Sequence, residues 1–192
     1  FSYGQLNKEF GLWLAKEPVW SYDYREQEIA RPNIYKDHLY VQTASTIYSQ
    51  DYFTGALIWK TELPPNDGDL SLGTSFSFQE PYMLIQSPSS SVMVLNIETG
   101  ELLWKSSLTS PDALIEGVTY IKDIAIYQDL ALAYRHTLHL IAYDITDGHT
   151  IWRTRVPERF VEKIMPYKEI IYLGKSDSLG AYDLRDGHFM FE

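Results

Sequence analysis

The sequence predicts an all-β chain made of about four copies of one unit of four short antiparallel strands. Three observations predict it. A nine-residue segment recurs four times, a second apolar and aromatic element recurs in phase with it, and the period is about 44 residues.

The nine-residue segments are Asp51–Trp59, Asn96–Trp104, Asp144–Trp152 and Asp183–Phe191, and they align without gaps. In each, Asp or Asn stands four residues before Gly55, Gly100, Gly148 or Gly187, and Trp59, Trp104, Trp152 or Phe191 stands four residues after it. The glycines are 45, 48 and 39 residues apart. The second element is an aromatic, a short polar turn and an apolar strand. It begins at Tyr35, Phe78, Tyr127 and Tyr167, which precede the glycines by 20, 22, 21 and 20 residues.

Each unit then reads in order. The first strand is the irregular run before the polar turn, at Ile29–Ile34, Ser71–Ser77, Gly117–Lys122 and Phe160–Met165. The second follows the turn. The third runs into the motif Asp or Asn, as in Ser91–Asn96 and Leu138–Asp144. The fourth starts after Gly and carries the Trp. Thr-Gly or Asp-Gly between apolar runs signals a hairpin, because Gly tolerates the positive φ such a loop needs. The upstream Asp is placed to accept turn N–H groups as in an Asx turn. The Trp supplies a large apolar face and an indole N–H for a backbone acceptor. The whole motif (Asp51, Gly55, Trp59, Asn96, Gly100, Trp104, Asp144, Gly148, Trp152, Asp183, Gly187, Phe191) is thus structural. The units span roughly 28–64, 68–108, 113–157 and 160–192, after an N-terminal segment, 1–27. Pro18–Tyr24 looks like a lone fourth strand, with Trp20 in the motif position.

A period of this length with four strands per unit is that of a β-propeller blade. The Asp…Gly…Trp spacing resembles the quinoprotein-type (PQQ-like) propeller repeat, with Asn96–Trp104 and Asp144–Trp152 the best matches. The resemblance covers about residues 28–192 and implies blades of a larger propeller, since such rings usually have seven or eight. It is best matched by non-catalytic members, and implies a protein-interaction or scaffold module with a protein partner outside the cytoplasm, periplasmic or secreted. Phe1 in place of Met fits a processed start, such as one left by a removed signal peptide. The alternatives are a fragment of a quinone- and calcium-dependent dehydrogenase, or a ligand-sensing extracytoplasmic domain of a membrane signalling protein.

Composition narrows the chemistry. The 192 residues carry 16 Lys+Arg against 26 Asp+Glu, a net charge of −10, which disfavours nucleic acid and anionic membranes as partners. No apolar run approaches the roughly 20 residues of a membrane span, so no direct membrane insertion by this segment is expected. At 45% hydrophobic residues the chain is not disordered. The absence of Cys removes a redox CxxC, a thiolate zinc site and the paired-cysteine disulfide that the resemblance associates with the dehydrogenases. Asn7, Asn33, Asn66 and Asn96 offer no matching ligand set, so neither an enzyme nor a cofactor is expected.

The remaining candidates read as structure. Pro64–Asp69 contains an oxygen-rich fragment without the later ligands of a calcium loop. His136 and His139 are three apart in a strand region and point to opposite faces; His149 and His188 follow the motif glycines on separate units; His38 lies in a polar turn. Gly174-Lys175 lacks a phosphate loop's glycines, and the serines of Ser87–Ser91 lack a nucleophile elbow. Arg153 and Arg155 read as a solvated edge. Loops Leu63–Leu70 and Leu108–Glu116 are acidic and proline-bearing. The first strands place Arg31, Ser75, Ser77, Tyr120, Lys122, Glu162 and Lys163 along a central channel as a polar lining.

Overall fold

The computed structural model describes residues 20–24, 29–30, 32–64, 75–86, 91–106, 121–135, 138–156, 161–175 and 178–191. These form four antiparallel sheets of four consecutive strands, joined by loops and never interleaved. The first blade holds β1 (Asn33–Tyr35), β2 (His38–Gln42), β3 (Thr46–Asp51) and β4 (Leu57–Glu62). The second holds β5 (Phe76–Gln79), β6 (Tyr82–Gln86), β7 (Val92–Asn96) and β8 (Leu102–Lys105). The third holds β9 (Ile121–Tyr127), β10 (Leu130–Arg135), β11 (His139–Asp144) and β12 (Thr150–Arg155). The fourth holds β13 (Val161–Tyr167), β14 (Ile170–Lys175), β15 (Leu179–Asp183) and β16 (Phe189–Phe191).

The innermost strands lie closer to the polar turn than the sequence suggests. Tyr35 pairs with His38, Gln79 with Tyr82, Tyr127 with Leu130 and Tyr167 with Ile170, each across a two-residue turn. The pre-turn residue is therefore the last of the first strand. Lys36, Gln128 and Lys168 open three of these turns at φ near +53°, a value that lets a two-residue hairpin follow the twist of its strands. In the second blade the pre-turn residue is Gln79 rather than Phe78, because Glu80-Pro81 makes the turn one residue later. The one-residue excess of the 22-residue spacing is thereby explained. Of the expected first strands, residues 71–74 and 117–120 lie outside the described residues.

Apolar side chains of adjacent blades face each other, so the core consists of layers between sheets. Tyr40 and Ile47 of the first blade meet Met83, Ile85, Met93 and Leu95 of the second. Leu84, Val92, Val94 and Trp104 of the second meet Ile124, Ala133, Ile141 and Tyr143 of the third. Leu132, Leu140 and Trp152 of the third meet Ile164, Leu173 and Tyr182 of the fourth. Period-two alternation puts one face of each strand into the preceding layer and the other into the following one, so central strands read as continuous apolar runs, as in Val92–Leu95.

Candidate functional site

The recurring motif forms the joints between blades. Its glycines sit at φ between +70° and +75°, and the carbonyl of the motif Asp or Asn accepts each glycine N–H at 2.9–3.0 Å. The side-chain oxygen of the same residue accepts further turn N–H groups: Asp51 Oδ1 from Phe53 and Thr54, Asn96 Oδ1 from Glu98 and Thr99, Asp144 Oδ1 from Thr146, Asp183 Oδ1 from Arg185. The Trp does not serve its own turn. Its indole N–H crosses to the next blade, from Trp59 to the Ile97 carbonyl at 3.2 Å, Trp104 to Ile145 at 2.7 Å and Trp152 to Leu184 at 3.1 Å. The indole ring lies on the next blade's glycine, where a Cβ on Gly100, Gly148 or Gly187 would come within 2.5–2.6 Å of it. Glycine is needed twice over, for its φ and for the missing side chain.

Trp20 makes the same contact one blade earlier. It donates to the Tyr52 carbonyl at 3.1 Å and lies 2.4 Å from a Cβ built on Gly55. Trp20–Tyr24 is not a strand in the structure, which corrects that part of the expected lone strand; it is held by side chains instead. Pro18 and Val19 lie outside the described residues.

Two residues of the polar channel set, Ser77 and Lys163, serve the same joints. Ser77 Oγ accepts the Ile126 N–H at 2.9 Å. Lys163 Nζ pairs with Asp123, a buried carboxylate whose other oxygen accepts the Ile164 N–H at 2.7 Å. Ser75 is half-buried, while Lys122 and Glu162 are exposed. Arg31 and Tyr120 lie outside the described residues. Three further joint residues were not singled out in the sequence. Gln42 Nε2 donates to the Gln86 carbonyl and Gln86 Nε2 to the Ile121 carbonyl, at 3.1 and 3.0 Å, and Gln79 makes a reciprocal pair with the Gln128 backbone. Their signal was a polar residue closing an apolar run, which reads equally well as solvated.

His149 and His188 follow the motif glycines on separate blades, whereas His38 opens β2 instead of lying in the polar turn. His149 Nδ1 lies 2.7 Å from Asp147 Oδ1, and ligand atoms of Asp144, Asp147 and His149 fall within 4.8 Å of one another. The spacing is set by the turn itself: Asp147 Oδ1 also accepts the His149 N–H, and Asp144 Oδ1 the Thr146 N–H and hydroxyl. His188 N–H repeats this bond to Asp186. His38 is half-buried beside Ser49 and Tyr40, and His139 opens β11. Arg153 and Arg155 are exposed on β12. Residues 65–70, 87–90, 107–120 and 136 lie outside the described residues, and with them most of the candidate calcium fragment, the serine run, the Leu108–Glu116 loop and His136.

These turn carboxylates carry a pH signature. Thr54 and Thr146 lower the pKa of Asp51 and Asp144, and the Arg185 side chain holds Asp183 down to about 2. Carboxylates depressed in the fold stabilise it above the unfolded value of about 4 and lose that contribution as pH falls through the folded values. Asn96 performs the same role uncharged. The triple variant Asp51→Asn, Asp144→Asn, Asp183→Asn is therefore expected to lose less stability between pH 4 and pH 2 than the parent, measured by urea unfolding. His149 has the opposite sign. The Asp147 side chain raises its pKa, so its contribution is complete below about 6.5 and disappears as pH rises through the folded value. An NMR titration of the imidazole should show this pKa dropping in Asp147→Asn.

A second regular feature lies on the outside. In every blade the register of the last two strands shifts at one place, opposite Ser49/Gln50, Val94/Leu95, Ala142/Tyr143 and Ala181/Tyr182. The residue skipped on the outer strand is Ile58, Leu103, Ile151 and Met190, each aliphatic or thioether and 38–45% exposed. In the first blade Tyr52, Phe53 and Leu57 extend this apolar surface, at 43, 63 and 43% exposed. The sequence held the signal, an apolar residue immediately before each motif aromatic, but strand alternation alone does not say that a bulge turns it outward.

No family model matches the sequence, and no curated protein does so. Solved structures do match the fold. The chain superimposes with a TM-score of 0.64 on the computationally designed Ika8 protein at 15% identity, covering 85% of this chain and 48% of that one. It matches BamB from Moraxella catarrhalis at 0.63 and 17% identity, covering 87% and 50%. Against the quinohemoprotein alcohol dehydrogenase ADHIIG from Pseudomonas putida HK5 the values are 0.63, 13%, 84% and 33%. The fold is all-β and is that of β-propeller proteins. The chain spans about half the length of Ika8 and of BamB.

Proposed function

We propose that this chain is a non-catalytic propeller module that docks a protein partner on its outer rim, outside the cytoplasm. The observation that carries the reading is the recurrence of Ile58, Leu103, Ile151 and Met190 at one bulged position per blade. Single exposed apolar residues are ordinary on a protein surface. Four at equivalent places, on bulges that aim them outward, make a spaced apolar belt on a rigid frame. The joints supply the rigidity, since each ties neighbouring blades by an apolar layer and an indole hydrogen bond. Likeness to BamB and to a quinohemoprotein dehydrogenase at 17% and 13% identity supports the fold equally for both classes, so the rim decides the reading. Among the described residues no helix is long and apolar enough to cross a membrane.

The test is a native mass spectrum of the protein purified gently from its source, beside a variant with Ile58, Leu103, Ile151 and Met190 replaced by Lys. These surface changes are expected to shift stability by about 0.5 kcal/mol or less each. A bound protein on the parent, absent from the equally folded variant, is the expected result. A chain carrying quinone and calcium, or a complex indifferent to the four changes, overturns the reading.

A further inference from the structure

The joint between the second and third blades carries a basic cluster at one end. Ala131 and Ala133 of β10 pack in its apolar layer, and period-two alternation puts Arg135 on the same face, toward the second blade. The register sets His139 opposite Arg135 and Arg155 opposite His139, with Arg153 opposite Ile141, another residue of that layer. Cross-strand partners share a face, so three neighbouring strands aim Arg135, His139, Arg153 and Arg155 the same way. Exposure rises outward along the row: Arg135 is only 7% exposed, His139 is half-buried and Arg155 is exposed. In a chain of net charge −10 this is a local excess of positive charge.

The charge of Arg135 is unmatched. A guanidinium taken out of water is costly unless a carboxylate or a set of acceptors takes its N–H groups. Among the described residues no Asp or Glu pairs with Arg135, and its buried Nε–H meets no acceptor. The neighbour it has is neutral, since Arg135 and Ser106 both hydrogen-bond to the Tyr143 side chain. Burial raises the Tyr143 pKa against the opposing pull of the Arg135 and Arg153 charges and of both bonds, so the hydroxyl keeps its proton. The cluster favours a negative charge, and none of the residues named here supplies one.

We propose that this end of the joint binds a carboxylate. The unpartnered Nε–H lies on the guanidinium edge that meets a carboxylate through two parallel hydrogen bonds. Arg153 and Arg155, on the exposed side, draw the anion toward it. One buried guanidinium balances one negative charge, which selects a carboxylate over the more highly charged phosphate. A free organic acid and the acidic side chain of a peptide both supply this group. The site requires no partner on the rim.

An NMR titration of the full chain at constant ionic strength tests this, followed at the Arg135 Nε–H and Tyr143 ring signals. The probes are acetate and the capped tripeptide acetyl-Ala-Glu-Ala-amide. At least one is expected to shift both signals saturably, and which one does so identifies the source of the carboxylate. Arg135→Met keeps the apolar stem and removes the unmatched charge, so its unfolding midpoint is expected to be no lower than the parent's. The same change should weaken that probe at least about tenfold at the Tyr143 signals, the worth of a charge-assisted hydrogen bond. Arg155→Gln, at an exposed position, should weaken it about two- to fivefold with the fold intact. Three results each overturn the proposal: no saturable shift with either probe up to about 20 mM, an affinity unchanged in Arg135→Met, or tighter binding of inorganic phosphate than of both carboxylates.

Discussion

Alanine in place of Gly148 is expected to destabilise the chain by about 2–5 kcal/mol, a loss comparable with the whole stability of a small domain. Two costs combine. At φ +75° a Cβ meets the following carbonyl, at about 1–2 kcal/mol. The same Cβ would lie 2.5 Å from the Trp104 ring, so the indole must move from a packed layer, at about 1–3 kcal/mol more. The obstruction is an aromatic ring buried between two sheets, not the mobile end of a flexible side chain. Urea unfolding of Gly148→Ala should show a lower midpoint with an unchanged slope. A change under about 0.5 kcal/mol would mean that the turn relaxes without the joint.

Trp104→Ala should cost about 3–5 kcal/mol, the range for deleting a buried aromatic. Trp104 is 8% exposed, and its ring packs 5.9 Å from that of Tyr143 across the joint. Its loss opens a cavity between the second and third blades and leaves the Ile145 carbonyl without its indole donor. Trp104→Phe keeps most of the apolar contact and loses only the donor, for about 0.5–1.5 kcal/mol. Thermal unfolding of the two variants separates packing from hydrogen bonding. Equal losses would assign the stabilisation to the hydrogen bond and contradict a packing role.

Much of this arrangement was legible because the repeat is read in its own frame. Asp144, Gly148 and Trp152 share a hairpin, and the period-two runs on either side locate the strands. What the repeat could not convey is direction across blades. Trp152 is sequence-local to Gly148, yet the glycine it covers is Gly187, 35 residues on. A motif conserved in spacing within each unit gives no sign that its two ends serve different joints. The Gln42 and Gln86 bridges were illegible for the same reason, since their acceptors, the carbonyls of Gln86 and Ile121, lie in the following blade. The Phe78 alignment slipped by one residue because an aromatic one place before the turn mimics the pre-turn Tyr of the other units. The bulged Ile58, Leu103, Ile151 and Met190 were visible as apolar residues, but alternation without the register shift assigns them no face.

The central claim is that the indole of one blade and the glycine of the next act as one unit across each joint. A double-mutant cycle of Trp104→Ala and Gly148→Ala, followed by urea unfolding, tests it most directly. With the indole gone, the Cβ at position 148 has nothing to collide with and only the backbone cost remains. The account predicts that Gly148→Ala costs at least about 1 kcal/mol less in the Trp104→Ala background than in the parent. Equal costs in the two backgrounds would contradict it.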